Sequence, residues 1–216
     1  MIKQGILFLL FLLLNLQLKA AVPKDTIWTV YKDGEFTTQC QLRFNASNQV
    51  VAEVSDDLVS DFHNAPGNLF NWALKDLGLQ DEKNNELIIV FKSSTNDNKT
   101  GITHGVFDVI VPNITTFSNI KVDAKVSKTK YTSGIIKVNA DIAYSTMLLD
   151  KAFGIFTIIP QKNNEQLFVT NIKIKFGWFF NLFITKRRYK SIVEWRVKKF
   201  TENMKMESEQ RQQESD

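Results

Sequence analysis

Cysteine is almost absent from this sequence of 216 residues, which holds a single thiol at Cys40. One cysteine cannot close a disulfide within the chain, so the fold depends on its own packed core or Cys40 pairs with another chain. Cys40 lies between Gln39 and Gln41 in a predicted strand. That setting favours a small buried apolar residue over a reactive nucleophile.

Residues that would mark a catalytic or metal site are equally scarce. The two histidines, His63 and His104, stand apart from any patterned carboxylate or thiol, so neither a metal-ligand spacing nor a catalytic triad is indicated. Asp56–Asp57 and Asp81–Glu82 are only neighbours along the chain. No glycine-rich phosphate loop or nucleophile elbow is present. We therefore assign no catalytic residue, metal ligand or cofactor, and an enzyme would need residues that only the fold assembles.

An excess of one charge is also missing, because 27 basic residues face 23 acidic ones. Removal of Lys3 and Lys19 with a leader would leave 25 basic residues and a net charge of +2. A nucleic-acid-binding chain typically carries a stronger basic footprint, so no nucleic-acid partner is predicted.

The longest apolar run lies at the N-terminus, from Ile6 to Leu14, and small residues follow it at Ala20 and Ala21. This layout is typical of a secretory signal peptide. We predict a signal peptide over residues 1–20, cleavage near Ala20, and a periplasmic or secreted protein. The run is shorter than the roughly 20 residues that span a membrane. A retained N-terminal anchor is the alternative, because Leu18 is large for its position before the cleavage site.

No repeat, linker or low-complexity insert divides the remainder of the chain. Residues 21–206 are therefore predicted to form a single α+β domain. Residues 207–216 are polar and lack apolar side chains to pack, which predicts a disordered tail.

Short strands and helices follow from the hydrophobic periodicity. Gln49 to Val54 is predicted as a strand, Ser55-Asp56-Asp57 as the cap of a first helix, and Pro66 to Gly78 as a second helix. Several strands follow, and one alternates with a period of two. Its predicted inward face carries Ile136, Val138, Ala140, Ile142 and Tyr144.

A long amphipathic helix is predicted near the C-terminus. Apolar residues recur there at spacings of three and four, which places them on one stripe of a helix. The stripe consists of Tyr189, Val193, Val197, Phe200 and Met204.

This order of elements, with two short helices, about six antiparallel strands and a long final helix, resembles the helix-grip architecture of the START and polyketide-cyclase superfamily (SRPBCC). The resemblance covers roughly Gln39 to Met206 and is topological, since no short motif carries it; the segment Ile27 to Tyr31 is additional. It implies a bent antiparallel sheet of about six or seven strands with the final helix packed across it. A lipocalin-like barrel and another single-sheet α+β fold are the alternatives.

The same resemblance implies that an apolar small molecule or lipid binds between the sheet and the final helix. The aromatic residues expected to line that space are Trp72, Phe107, Tyr144, Phe156, Phe176, Trp178 and Phe180. Aromatic side chains at alternating positions are more often packed core, which is the competing interpretation for each of them.

A second candidate surface, here called the aromatic-basic patch, spans residues 178–190. Aromatic residues beside a basic cluster are typical of a membrane-contacting or partner-contacting edge. The residues assigned to it are Phe179, Phe183, Lys186, Arg187 and Arg188. Three functions follow in order of preference: a non-enzymatic carrier of an apolar ligand, a structural or interaction module of the cell envelope that uses this patch, and an enzyme on the helix-grip scaffold.

Overall fold

The computed structural model describes residues 26–67, 88–111, 113–182 and 184–215. The predicted signal peptide, most of the second helix predicted from Pro66 to Gly78, and the site residues Trp72 and Phe183 lie outside the described residues.

One antiparallel sheet dominates the described part of the chain. In the order β1-β2-β8-β7-β6-β5-β4-β3 it contains eight strands. Their bounds are β1 Thr26–Lys32, β2 Glu35–Asn45, β3 Ile88–Asp97, β4 Ile102–Val111, β5 Thr115–Lys130, β6 Ile136–Ser145, β7 Leu149–Pro160 and β8 Glu165–Phe176. The segment Ile27 to Tyr31, which is additional to the superfamily pattern, belongs to β1, and β1 pairs with β2 at one edge of the sheet.

Helices cover one face of this sheet. They are α1 Asn48–Asn64, α2 Trp178–Asn181, α3 Lys186–Tyr189 and α4 Trp195–Ser215, with a π-helical segment at Lys190–Glu194 between the last two. We call the continuous stretch from Lys186 to Ser215 the C-terminal helix. The predicted α+β helix-grip fold is therefore confirmed, with eight described strands where about six or seven were expected.

The strand predicted from Gln49 to Val54 is wrong, because these residues belong to α1. Ser47 caps the helix, and its side-chain oxygen accepts a hydrogen bond from the backbone N–H of Val50. Ser55, predicted as the cap, lies inside the helix and donates its hydroxyl hydrogen to the carbonyl of Val51 at 2.7 Å. The run of valines suits a strand locally, but tertiary packing of a helical face overrides that preference.

Register shifts interrupt the strand pairing at several places and increase its local bend. They occur between Phe91 and Ser93, between Phe107 and Val109, between Asp123 and Ala124, and between Leu149 and Lys151. The first two shifts lie in the pairing of β4 with its two neighbours, and the third lies between β5 and β6. We call the face of the sheet toward the helices the concave face.

Two apolar clusters join the C-terminal helix to the concave face. The Met204 cluster consists of Phe44, Ala46, Val50, Val51, Ala52, Val54, Ile136, Ile158, Phe168 and Met204. The Tyr189 cluster consists of Phe36, Val109, Ile120, Phe176, Phe180 and Tyr189. Of the other three stripe residues, Val193 and Phe200 are partly buried against these clusters and Val197 is buried, which confirms the predicted apolar stripe.

The end of the C-terminal helix departs from the tail predicted for residues 207–216, because the helix continues to Ser215. Arg211 donates to the carboxylate of Asp57 on α1 at 2.6 Å. The side-chain oxygen of Gln212 accepts a hydrogen bond of 2.8 Å from the backbone N–H of Ser47. These contacts are polar, so a search for apolar packing residues does not detect them.

Tyr189 fixes the start of the C-terminal helix to β2. Its ring is fully buried and stacks on Phe36 with the ring centroids 3.9 Å apart. Its hydroxyl shares a 2.8 Å hydrogen bond with the hydroxyl of Thr38. Burial away from water, reinforced by the negative charge of Glu194, raises the pKa of Tyr189 to about 12, although the bond to Thr38 opposes this shift.

We predict that the free energy of unfolding of Tyr189→Phe falls less at alkaline pH than that of the wild type. The raised pKa means that the neutral phenol stabilises the folded state below the ordinary tyrosine pKa of about 10, and that this contribution is lost as the pH rises toward 12. Urea unfolding across that pH range should therefore show a shallower decline for the variant than for the wild type. Tyr131→Phe, at an exposed tyrosine, is the control. Parallel curves for wild type and Tyr189→Phe would contradict the assignment.

Candidate functional site

A cavity of about 340 Å³ lies between the concave face of the sheet, α1 and the C-terminal helix. Every strand from β3 to β8 contributes to its wall. The lining residues are Ser55, Leu58, Val59, Phe62, Pro66, Phe91, Ser94, Thr103, Gly105, Phe107, Val122, Ala124, Val126, Val138, Ala140, Ile142, Phe156, Ile158, Phe168, Phe200 and Met204. The volume falls within the roughly 300–1,000 Å³ typical of small-molecule pockets.

Small residues on the central strands leave this space open. Ala124 on β5 and Ala140 on β6 point to the same face as larger aliphatic neighbours two residues away. Gly105 on β4 has the Phe107 ring above it, since a Cβ at that position would lie 2.7 Å from the ring. Because these positions carry no longer side chains, the described side chains leave the space between the middle of the sheet and the helices open.

The described wall of the cavity is apolar and carries no charged side chain. Its three hydroxyl groups belong to Ser55, Ser94 and Thr103. Ser55 donates to Val51 within α1, and the Thr103 hydroxyl lies 3.5 Å from the carbonyl oxygen of Phe62. Such a wall offers an organic ligand dispersion contacts and desolvation, with very little directional hydrogen bonding.

The structure brings together two of the seven residues expected to line a cavity. Phe107 on β4 and Phe156 on β7 both contribute to the wall. Phe176 and Phe180 are buried instead in the Tyr189 cluster, where Phe180 packs against Phe117 with the ring centroids 4.7 Å apart. These two aromatic residues hold the sheet to α2 and the C-terminal helix.

Tyr144 lies on the outer face of the sheet and is 53% exposed. The reason is a bulge in β6, where Ile142 pairs with Ala124 but Tyr144 pairs with Asp123, so Ala143 is the extra residue. An extra residue reverses the inside-outside alternation beyond it. Ile142 therefore faces the cavity, while Tyr144 shares an outer surface depression with His104 and Asp123.

Trp178 also lies outside the cavity, with 77% of its side chain exposed at the start of α2. The neighbouring Phe179 is half-buried, and its ring contacts Phe117 with the centroids 5.7 Å apart. Lys186 and Arg187 are exposed, and Arg188 is half-buried. The four described residues assigned to the aromatic-basic patch are thus exposed or half-buried, whereas Phe180 and Tyr189 in the same range are buried.

Sequence reasoning missed the helical side of the wall and its small residues. Leu58, Val59 and Phe62 form the face that α1 turns to the cavity. Their spacing of one and four residues is a helical signal that could have identified this face. The alternation of strand residues between the two faces places Ala124 and Ala140 on the inner face. They were not predicted as wall residues because only aromatic residues were selected.

Other features of the described residues do not converge on a reactive site. Cys40 is buried. His104 shares a 2.8 Å contact with Asp123, but the pair lies on the outer face. Within the described ranges, no group of three or more histidine, cysteine, aspartate and glutamate residues is placed to hold a metal ion. In the same ranges, no helix combines the length and apolar character needed to span a membrane.

Comparison with family models and with curated proteins finds no match for this chain. Solved structures with similar folds do exist. A START superfamily protein from Mycobacterium smegmatis is 11% identical, with a TM-score of 0.45, and the match covers 81% of this chain and 97% of that chain. Truncated norcoclaurine synthase from Thalictrum flavum is 10% identical, with a TM-score of 0.46, and coverage of 84% and 95%.

A third similar structure is a STAR-related lipid transfer protein from Xanthomonas axonopodis, 12% identical, with a TM-score of 0.39 and coverage of 81% and 99%. These three structures are similar to this chain, and the helix-grip fold is shown by the order of its own strands and helices. The function proposed below rests on the cavity of this chain.

We predict that the cavity tolerates added volume that the packed part of the sheet does not. Ala140→Leu places its side chain into the cavity and should leave the free energy of unfolding within about 1 kcal/mol of the wild type. Ala152→Leu, at a buried alanine outside the cavity wall, should cost about 1–3 kcal/mol through overpacking. Urea unfolding measures both. Equal destabilisation of the two variants would mean that the cavity is already filled by protein.

Proposed function

We propose that this protein binds an apolar small molecule or lipid between its sheet and its C-terminal helix, without acting as an enzyme. The observation that carries the proposal is the 340 Å³ cavity and its wall of aliphatic and aromatic side chains. A pocket of this kind gains affinity from the apolar surface that the ligand buries.

Packing energy also supports a binding role. In engineered cores, the free energy of unfolding falls by about 24 cal/mol for each Å³ of enclosed cavity that is left unfilled. Residues larger than Ala124 and Ala140 would fill part of the space and reduce this loss of stability. Small residues at these positions are therefore consistent with a space that is kept for a ligand.

The proposal includes export of the chain after cleavage near Ala20, into the periplasm or the medium. A carrier in that setting would shield an apolar molecule from water, because transfer of apolar surface out of water is favourable. Its support is the apolar run from Ile6 to Leu14 and the small residues after it.

Native mass spectrometry of the protein, purified from its own host and followed by solvent extraction, tests the binding proposal. We expect a bound apolar molecule in a population of the protein. The bound fraction should fall at least about tenfold in Ala140→Leu, because the added side chain occupies the cavity. Ala143→Leu is the matched control, since Ala143 lies on the same strand but is exposed and does not line the cavity. A ligand-free mass, together with no uptake of fatty alcohols, sterols or phospholipids, would contradict the proposal.

A second candidate function is contact with an anionic membrane through the aromatic-basic patch. The observation that favours it is the exposure of two large apolar side chains, Trp178 at 77% and Leu182 at 69%, close in sequence to exposed Lys186 and Arg187. An indole at a surface beside cations suits the headgroup region of a bilayer. Each cation near an anionic surface contributes about 1 kcal/mol.

Vesicle co-sedimentation tests this second candidate. We expect binding to vesicles that contain phosphatidylglycerol, weaker binding to pure phosphatidylcholine, and a loss of binding at high salt through screening. The double variant Trp178→Ala with Leu182→Ala should bind several-fold more weakly. Tyr144→Ala, which removes an exposed aromatic ring from another surface, should bind as the wild type does. Equal binding by both variants would exclude the patch as the membrane contact.

A further inference from the structure

We infer that the cavity selects uncharged ligands, with at most one or two neutral polar groups, over fatty acids and other ionised amphiphiles. This inference rests on the proposed function and specifies its ligand class. It depends on which charges and hydrogen-bonding groups the described wall presents.

No described lining residue is a lysine, arginine, histidine, aspartate or glutamate. An ionised carboxylate or ammonium inside such a wall would lose its hydration without gaining a partner, which is the most costly form of polar burial. A neutral chain of the same length loses little hydration and gains the same apolar contacts. The charge of the ligand therefore dominates the difference in affinity.

Among the described residues, one cation close to this wall, Lys128, is already paired with a carboxylate. Lys128 lies on β5 two residues beyond Val126, which lines the cavity, and its side chain is 12% exposed. Its ammonium group lies 2.6 Å from a carboxylate oxygen of Asp56 and donates to the carbonyl of Ala52 at 2.8 Å. Because both partners belong to α1, Lys128 joins the sheet to that helix. A ligand carboxylate would have to share this charge with Asp56.

The hydroxyl groups of the wall admit a neutral polar group on one side of the cavity. Ser94 on β3 pairs in register with Gly105, two residues from Thr103 on β4. Thr103 is 4% exposed, and its hydroxyl lies near the oxygen atoms of Phe62 and Asn96. Hydroxyls donate and accept, so this corner can satisfy one alcohol or carbonyl group. It provides no fixed charge.

The size of the cavity sets the length of a suitable test ligand. Its 340 Å³ is about eleven times the roughly 30 Å³ that a water molecule occupies in the liquid. A molecule with about ten carbon atoms is therefore a fair match to the space. The alcohol 1-decanol and the ester methyl decanoate are neutral, whereas decanoate and decyltrimethylammonium carry opposite charges on the same alkyl chain.

Isothermal titration calorimetry of the delipidated protein with these four compounds at pH 7.5 and below their micelle concentrations tests the inference. We expect both neutral compounds to bind at least about tenfold more tightly than both ions. Ala140→Leu should weaken the binding of the neutral compounds, whereas the control Ala143→Leu should not, which would place the measured binding in the cavity.

Three outcomes would overturn the inference in distinguishable ways. If the ions bind as tightly as the neutral compounds and Ala140→Leu weakens all four, the cavity binds ligands but does not select by charge. If decanoate alone binds best, a cation such as Lys128 serves the ligand. If none of the four binds, the proposed carrier function fails together with the inference.

Discussion

Contact between the C-terminal helix and the concave face of the sheet, made around Tyr189 and around Met204, is the interaction on which the rest of the structure depends. At Tyr189 the contact is a stacked ring and a buried hydroxyl pair with Thr38. At Met204 it is aliphatic and aromatic packing that also includes α1. A sheet with one apolar face needs such a cover.

The cavity follows from how that cover meets the sheet. Bulges in the pairing of β3 with β4 and of β5 with β6 bend the strands. Small residues occupy the middle of β4, β5 and β6. The helix-side wall comes from α1 and from Phe200 and Met204, which also pack with the Met204 cluster. The same residues therefore stabilise the fold and define the space, so ligand binding and stability are coupled.

Much of the fold was predictable from the sequence, because period-two strands and a period-3.6 stripe are local signals. The stripe through Tyr189, Val197 and Met204 is one example. Two outcomes were set by non-local effects: the valines of α1 became helical by packing into the core, and the bulge at Ala143 turned Tyr144 outward. Of the candidate wall residues, Phe107 and Phe156 follow from alternation, whereas the space itself depends on alanines and a glycine, which hydrophobic patterns do not single out.

A crystal structure of the protein purified from its own host is the measurement that tests the central claim most directly. The account predicts continuous electron density, not belonging to the chain, that lies against Phe107, Phe156 and Phe200 and has no charged side chain within hydrogen-bond distance. Side chains of the protein that fill this space, with the C-terminal helix packed directly onto Ala124 and Ala140, would contradict it.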